Sequence, residues 1–197
     1  MLAPAFDDPS RASQAVFRNV MKAMARPGLA RPLATKLAAP EPLSPAAAAV
    51  ALTLLDHETP LWLDPRLAGA RQVGEWLKFH TGAPLTADPA QSAFAFISDP
   101  ARTPPFEAFS LGSLEYPDRS TTLVLQVARL DRGDLLELCG PGIAGTARFF
   151  AQPLPDDFRA RLLANRALFP RGIDLILVST DAVAALPRSI RLVSEGG

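Results

Sequence analysis

The sequence predicts an α/β domain in which a mixed β-sheet forms the middle of three layers, with helices on both faces. Helical apolar periodicity alternates with short, branched apolar runs at both ends of the chain. A strand–turn–strand pattern occupies the middle, and the late run Ile173–Val178 is apolar except for Asp174. Near-continuous apolar runs mark strands covered on both faces, whereas strands with one wet face alternate. The 197 residues show no internal repeat and no compositional break, so residues 1–197 read as one domain. A chain of this length buries about 70% of its unfolded surface and needs no metal or disulfide for stability.

Taken in order, Ser10 can cap a first helix running to about Ala25, with Val16, Phe17, Val20, Met21 and Met24 as its apolar face and Pro27-Gly28 as its stop. A proline-rich connection spans Arg31 to Pro45. Ser44 then caps a second helix with Pro45 at its first position; Ala46–Leu55 is apolar nearly all round, which predicts burial. Pro60–Leu63 is a short strand, Leu67–Phe79 a third helix closed by Thr81-Gly82, and Ser92–Ile97 a second strand. Asp99–Pro105 is a turn-rich link, followed by one helical turn at Phe106–Leu111. Thr121–Leu130 alternates and is rich in branched residues. With the turn Asp131–Asp134 and the returning run Leu135–Cys139 it predicts a β-hairpin. Phe158–Leu168 is a helix, Ile173–Val178 a central strand and Ile190–Val193 a last strand.

Composition excludes several functions. Twenty basic and twenty acidic residues give zero formal net charge, and no basic run occurs, which argues against a nucleic-acid or membrane-surface partner. The single cysteine, Cys139, cannot form an intramolecular disulfide and suits a reducing, cytoplasmic compartment. The N-terminus lacks the basic and apolar regions of a signal peptide, and the longest apolar stretch is too short to span a bilayer.

The residues available for chemistry are few. His57 and His80 each end a helical segment, where a histidine also serves as a simple helix terminator. Two scattered histidines and one cysteine make no zinc signature, so no metal is expected. Gly140-Pro141-Gly142-Ile143 lacks the Walker ending and the dinucleotide fingerprint, and Pro141 removes an amide donor. Arg171 and Arg188, at the two ends of the late strand region, could offer guanidinium groups to a phosphate or to a partner's carboxylate. Lys22, Lys36 and Lys78 are the only lysines, and none follows a strand in a pocket-like context; that argues against a pyridoxal phosphate Schiff base, and no cofactor is expected.

Several phrases, in a common order and spacing, carry a resemblance. They are Phe17-Arg18 to Met24 with Pro27-Gly28, Leu52–Asp56 with Glu58–Leu63, Phe79-His80-Thr81-Gly82-Ala83-Pro84, and Leu111-Gly112. Tyr116–Ser120, Thr122–Val127, Gly140–Ile143, Phe169-Pro170 with Gly172–Leu177, and Pro187-Arg188 follow. Together, from about Phe6 to Val193, these resemble the PhnH family, a component of the bacterial carbon–phosphorus lyase system of phosphonate metabolism. The resemblance implies a fold like the large domain of pyridoxal phosphate-dependent transferases, trimmed and without the cofactor. It also implies a homodimer that joins the G, I and J subunits in a core complex. That complex converts a phosphonate and MgATP to a ribose 1-phosphonate 5-triphosphate with loss of adenine, before an iron–sulfur radical step on the J subunit cuts the C–P bond. The PhnH component is expected to be accessory, with no independent activity. The alternative is an enzyme subunit lending residues to a nucleotide or phosphonate site. The candidates for ligand or subunit contact are Asp56, Thr59, His80, Asp118, Ser120, Arg171 and Arg188; His57 sits where the family is not expected to require histidine.

Overall fold

The computed structural model describes residues 4–33 and 35–193. Helix α1 spans Pro9–Ala25, and its cap is Asp8, whose carboxylate accepts the Arg11 N–H at 3.1 Å. The expected cap, Ser10, lies inside the first turn instead. Pro9 has no N–H and a pre-set φ, so it takes the first helical position and moves the cap to the preceding residue. Val16, Val20 and Ala23 face the core, whereas Phe17 and Met21, expected there, are about half exposed.

Helix α2, Pro45–Leu54, is capped by Ser44, whose Oγ accepts the Ala47 N–H at 3.2 Å. Its residues Ala46–Ala51 are wholly buried. The small alanine side chains let this helix lie close to its neighbours on every side. The expected third helix is two helices, α3 (Pro65–Gly69) and α4 (Arg71–Thr81). Gly69 is a poor helix former, and Ala70 leaves helical geometry at φ −91, ψ 87. Asp64 caps α3 by accepting the Leu67 N–H at 2.8 Å. Gly82 ends α4 in the left-handed region at φ +74, which glycine adopts without a Cβ penalty.

A six-stranded sheet forms the centre. Strand β1 is Arg31–Pro32, β2 Leu61–Leu63, β3 Phe94–Ile97, β4 Thr122–Gln126, β7 Asp174–Val178 and β8 Ala182–Leu186. The spatial order is β1-β8-β7-β4-β3-β2. Strands β2, β3, β4 and β7 are parallel, with Leu123 opposite both Ala95 and Leu175, while β8 and β1 run antiparallel at one edge. One face carries Phe96, Val124, Ile176 and Val178 beneath α1, α2 and α4. The other carries Ala95, Ile97, Leu123, Leu125, Leu175 and Leu177. Each such buried leucine or isoleucine contributes about 1.5–3 kcal/mol.

The predicted hairpin does not form. Strand β4 already has β3 and β7 as neighbours, so the returning strand β5 (Leu136–Cys139) has no free edge to join. It pairs instead with β6 (Ala147–Phe149) and β9 (Arg191–Leu192) in a second, three-stranded antiparallel sheet. The burial patterns agree: β4 is covered on both faces, whereas β5 alternates. The second face is therefore covered by α5 (Phe158–Ala167), short 3-10 turns and this small sheet, and not by helices alone. Strands β1, β6 and β8 are absent from the sequence-based element order. Strand β8, Ala-Val-Ala-Ala-Leu, has weak strand propensity, and only its pairing with β7 reveals it.

Candidate functional site

The seven candidate residues fall along one edge of the main sheet, the edge where the parallel strands begin. Thr59-Pro60 precedes β2, Ser120-Thr121 precedes β4, Arg171 to Ile173 precedes β7, and Pro187-Arg188 follows the antiparallel β8. His80 lies in the last turn of α4, which returns the chain from the end of β2 towards the start of β3. The structure gathers four of these seven residues into two groups.

The first group holds Asp56 and Thr59. One Asp56 carboxylate oxygen accepts the Glu58 N–H at 2.9 Å and lies 2.8 Å from the Thr59 hydroxyl; the Thr59 Oγ1 accepts the Asp56 N–H at 2.6 Å. This turn is closed on itself. The Thr59 hydroxyl first, and then the Glu58 amide, hold the Asp56 carboxyl below its usual range. His80 packs its ring against Trp76, with centroids 4.7 Å apart, and edge-on to Phe79 at 4.9 Å. Exposed His57 sits beside Gly82, where an added Cβ would meet the His57 Cβ at 3.4 Å.

The second group is a joint built on Arg188. Its guanidinium donates to both carboxylate oxygens of Asp174, to the Ser120 hydroxyl at 2.6 Å and to the Pro117 carbonyl, and its backbone N–H donates to Asp174 at 2.8 Å. The Arg188 and Asp174 side chains are only 14% and 16% exposed. One arginine thus ties the end of β8 to the start of β7 and to the loop before β4. All three guanidinium nitrogens already donate inside the protein, so no fork is left for a phosphate. Asp118 is exposed on the 3-10 turn Pro117–Arg119 and does not enter the joint. Arg171 belongs to the turn before β7, with its Nε buried and without a hydrogen-bond partner.

In the first group the Thr59 hydroxyl meets the Asp56 carboxylate only within a self-closed turn, and in the second Arg188 stands between the Ser120 hydroxyl and the Asp174 carboxylate. In open α/β sheets ligands bind beyond the carboxyl ends of the strands, where the strand order reverses. Here the parallel strands progress β2, β3, β4, β7 without reversal, and the carboxyl edge is closed by internal bonds. Buried Asp64, at the end of β2, accepts the Ser98 N–H at 2.7 Å, the Ser98 hydroxyl at 2.9 Å and the Asp99 N–H at 3.2 Å, besides capping α3. At the end of β4 the Gln126 side-chain carbonyl accepts the Ser44 N–H and its amide donates to the Pro42 carbonyl. A cleft of about 440 Å³ beyond β4 and β7 is lined by Arg129 and Asp131, which bond each other at 2.7 and 2.6 Å. That hydrogen bonding lowers the Asp131 pKa and raises that of Arg129.

The other motifs have structural occupations. Gly142 packs on the C-terminal end of α1, where a Cβ would stand 2.1 Å from the Ala25 carbonyl oxygen, so the Gly-Pro-Gly turn is filled by protein. Cys139 ends β5 opposite Arg191 and is partly exposed. Lys22, Lys36 and Lys78 are all exposed. Among the described residues no group of three or more His, Cys, Asp or Glu could hold a metal, and no helix is long and apolar enough to cross a membrane.

Sequence reasoning missed Asp174, Asp64, Gln126 and Asn165. Asp64-Pro65 is a legible cap signal. Asn165 carried no signal: its side-chain amide donates to the Ile173 carbonyl at 3.0 Å and accepts the Ile173 N–H at 2.9 Å, standing in for a strand.

A family profile described as "Bacterial phosphonate metabolism protein (PhnH)" matches residues 4–193. A protein of Rhizobium meliloti (strain 1021), named alpha-D-ribose 1-methylphosphonate 5-triphosphate synthase subunit PhnH, is 48% identical over 191 residues, covering 97% of this chain and 95% of its own length. A protein of Stutzerimonas stutzeri, named "Putative C-P lyase subunit protein HtxG", is 38% identical over 86 residues, 44% of each chain.

Proposed function

This chain belongs to the PhnH family of bacterial phosphonate metabolism proteins, and from that premise we propose that it is an accessory subunit of the carbon–phosphorus lyase core complex. In this reading it supports the conversion of a phosphonate and MgATP to a ribose 1-phosphonate 5-triphosphate, and it catalyses no step alone. Near full-length identity to a named synthase subunit carries the reading. The internal use of Arg188 by Asp174, Ser120 and Pro117 supports it, because the strongest anion-binding candidate is occupied by the fold itself.

The protein acts as a homodimer in the cytoplasm, alongside the G, I and J subunits. It folds as one domain over residues 1–197, a reduced counterpart of the large domain of pyridoxal phosphate-dependent transferases. The mixed sheet supports that last comparison. Co-expression with G, I and J followed by size-exclusion chromatography tests assembly. Co-elution is expected, and elution apart from partners that assemble with one another sinks the reading. Deletion of the gene is expected to abolish growth on a phosphonate as sole phosphorus source.

A further inference from the structure

We propose that the loop Gly112–Arg119, together with the adjoining turn at Phe169, is the surface on which this chain binds a protein partner, and that the partner presents carboxylates set among apolar side chains. The inference rests on the assembly reading above and adds to it a face and a chemistry.

The loop is ordered yet displays apolar side chains to water. Ser113 donates its N–H to the Tyr116 carbonyl at 3.2 Å and accepts the Tyr116 N–H on its hydroxyl at 2.9 Å. The Ser110 hydroxyl donates to the Arg119 carbonyl at 2.8 Å, Leu111 bridges to Ser120, and Arg188 holds Pro117. Gly112, at φ +71, lies so close to Pro117 that a Cβ would stand 2.8 Å from its carbonyl oxygen. Fixing a backbone costs conformational entropy that these bonds must offset. Nevertheless Leu114 is 74% exposed, more than any other large apolar residue among the described residues, and Tyr116 is 47% exposed. Next to this loop the Gly172 N–H donates to the Leu111 carbonyl at 2.9 Å, which brings in the turn bearing Phe169, itself 51% exposed. A rigid loop and neighbouring turn that display tyrosine, phenylalanine and arginine have the composition of an interface centre.

The charge pattern selects the partner. The Arg119 guanidinium lies 4.1 Å over the Tyr116 ring and that of Arg166 4.5 Å over Phe169. Among the described residues neither of these two arginines has a carboxylate partner, whereas Arg188 and Arg161 do. Stacking fixes a guanidinium plane and leaves its edge donors free to grip a carboxylate. Glu115 and Asp118 lie in the same loop. A second copy of this chain could therefore supply the carboxylates, and the test separates that case.

The experiment measures binding of the full chain to co-expressed G, I and J subunits by biolayer interferometry, with the oligomeric mass of the free chain measured by light scattering. The variants are Leu114→Asp, Arg166→Glu and Arg166→Gln, with Phe17→Glu on exposed α1 as the control. The expected result is at least a tenfold weaker Kd, as for an interface hot spot (roughly 1.4 kcal/mol or more), for Leu114→Asp and Arg166→Glu. Arg166→Gln should fall between, Phe17→Glu should be unchanged, and melting and oligomeric mass should be unaltered. Wild-type affinity in both Leu114→Asp and Arg166→Glu overturns the surface and leaves the assembly reading intact. A loss that appears only as a change in the free chain's own oligomeric mass also overturns it, by showing that a second copy covers the loop. Failure of the wild-type chain to bind any of the three subunits overturns both readings.

Discussion

Replacing Arg188 with Met separates an internal joint from a ligand-binding arginine. Removing one member of a buried ion pair costs about 3–5 kcal/mol, because the other charge is left desolvated and unpaired. Here both side chains keep some contact with water, at 14% and 16% exposure. Asp174 also keeps the backbone N–H of residue 188, 2.8 Å away. Both facts place the expected loss at the lower end, about 3 kcal/mol. For a domain of this size 1 kcal/mol moves Tm by about 2–4 °C, so the variant should melt about 6–12 °C below wild type by calorimetry. The double variant Arg188→Met with Asp174→Leu should recover more than half of that loss, since no orphaned charge remains. The reasoning is refuted if Arg188→Met melts within about 2 °C of wild type while the reconstituted complex stops releasing adenine. That outcome would place the guanidinium on a ligand.

Asn165→Leu should cost about 2–4 kcal/mol in urea unfolding, because it strands the buried N–H and C=O of Ile173; a midpoint unchanged from wild type would show that water replaces the amide. Gly172→Ala should destabilise by about 2 kcal/mol or more, since φ is +116 and the new Cβ would lie 2.5 Å from the Asn165 side-chain oxygen; wild-type stability would mean that the Asn165 contact yields easily. Asp64→Ala should lower stability by about 2–3 kcal/mol through a lost cap and unpaired amides at Ser98 and Asp99, with Asp64→Asn intermediate; wild-type stability of Asp64→Asn would exclude the carboxylate's charge as a cause. Thr59→Val should raise the Asp56 pKa towards the ordinary carboxylate value in an NMR titration, because the Thr59 hydroxyl is the main cause of its lowering. A lowered folded-state pKa contributes stability that is present above the unfolded value and lost as pH falls through the folded one, so the variant should be less stable than wild type near neutral pH and indistinguishable from it in strong acid.

The elements that depend on neighbouring residues were legible from the chain. Ser44-Pro45 before an alanine run specifies a capped, buried helix, and Thr81-Gly82 specifies where α4 must stop. Most strands were legible for the same reason, since β-branched and leucine runs mark themselves. The candidate residues lie along a single sheet edge because turns with Pro, Gly and Asp occur where strands begin. Their bonding was not legible. Asp118 and Ser120 are close neighbours in the chain, yet only Ser120 meets Arg188, 68 residues further on.

By itself, then, the sequence determined the fold class, the family and the sparse supply of catalytic groups, all of which follow from residue types and their local order. Tertiary structure alone decided that β4 abandons the hairpin to lie between β3 and β7, that the alanine-rich β8 is a strand, and that Arg188 bonds inward to Asp174 rather than outward to a phosphate. The physical reason is common to all three. A strand's partner and an arginine's acceptor are chosen by which edges and carboxylates remain free once distant segments have packed, and no local pattern encodes that competition.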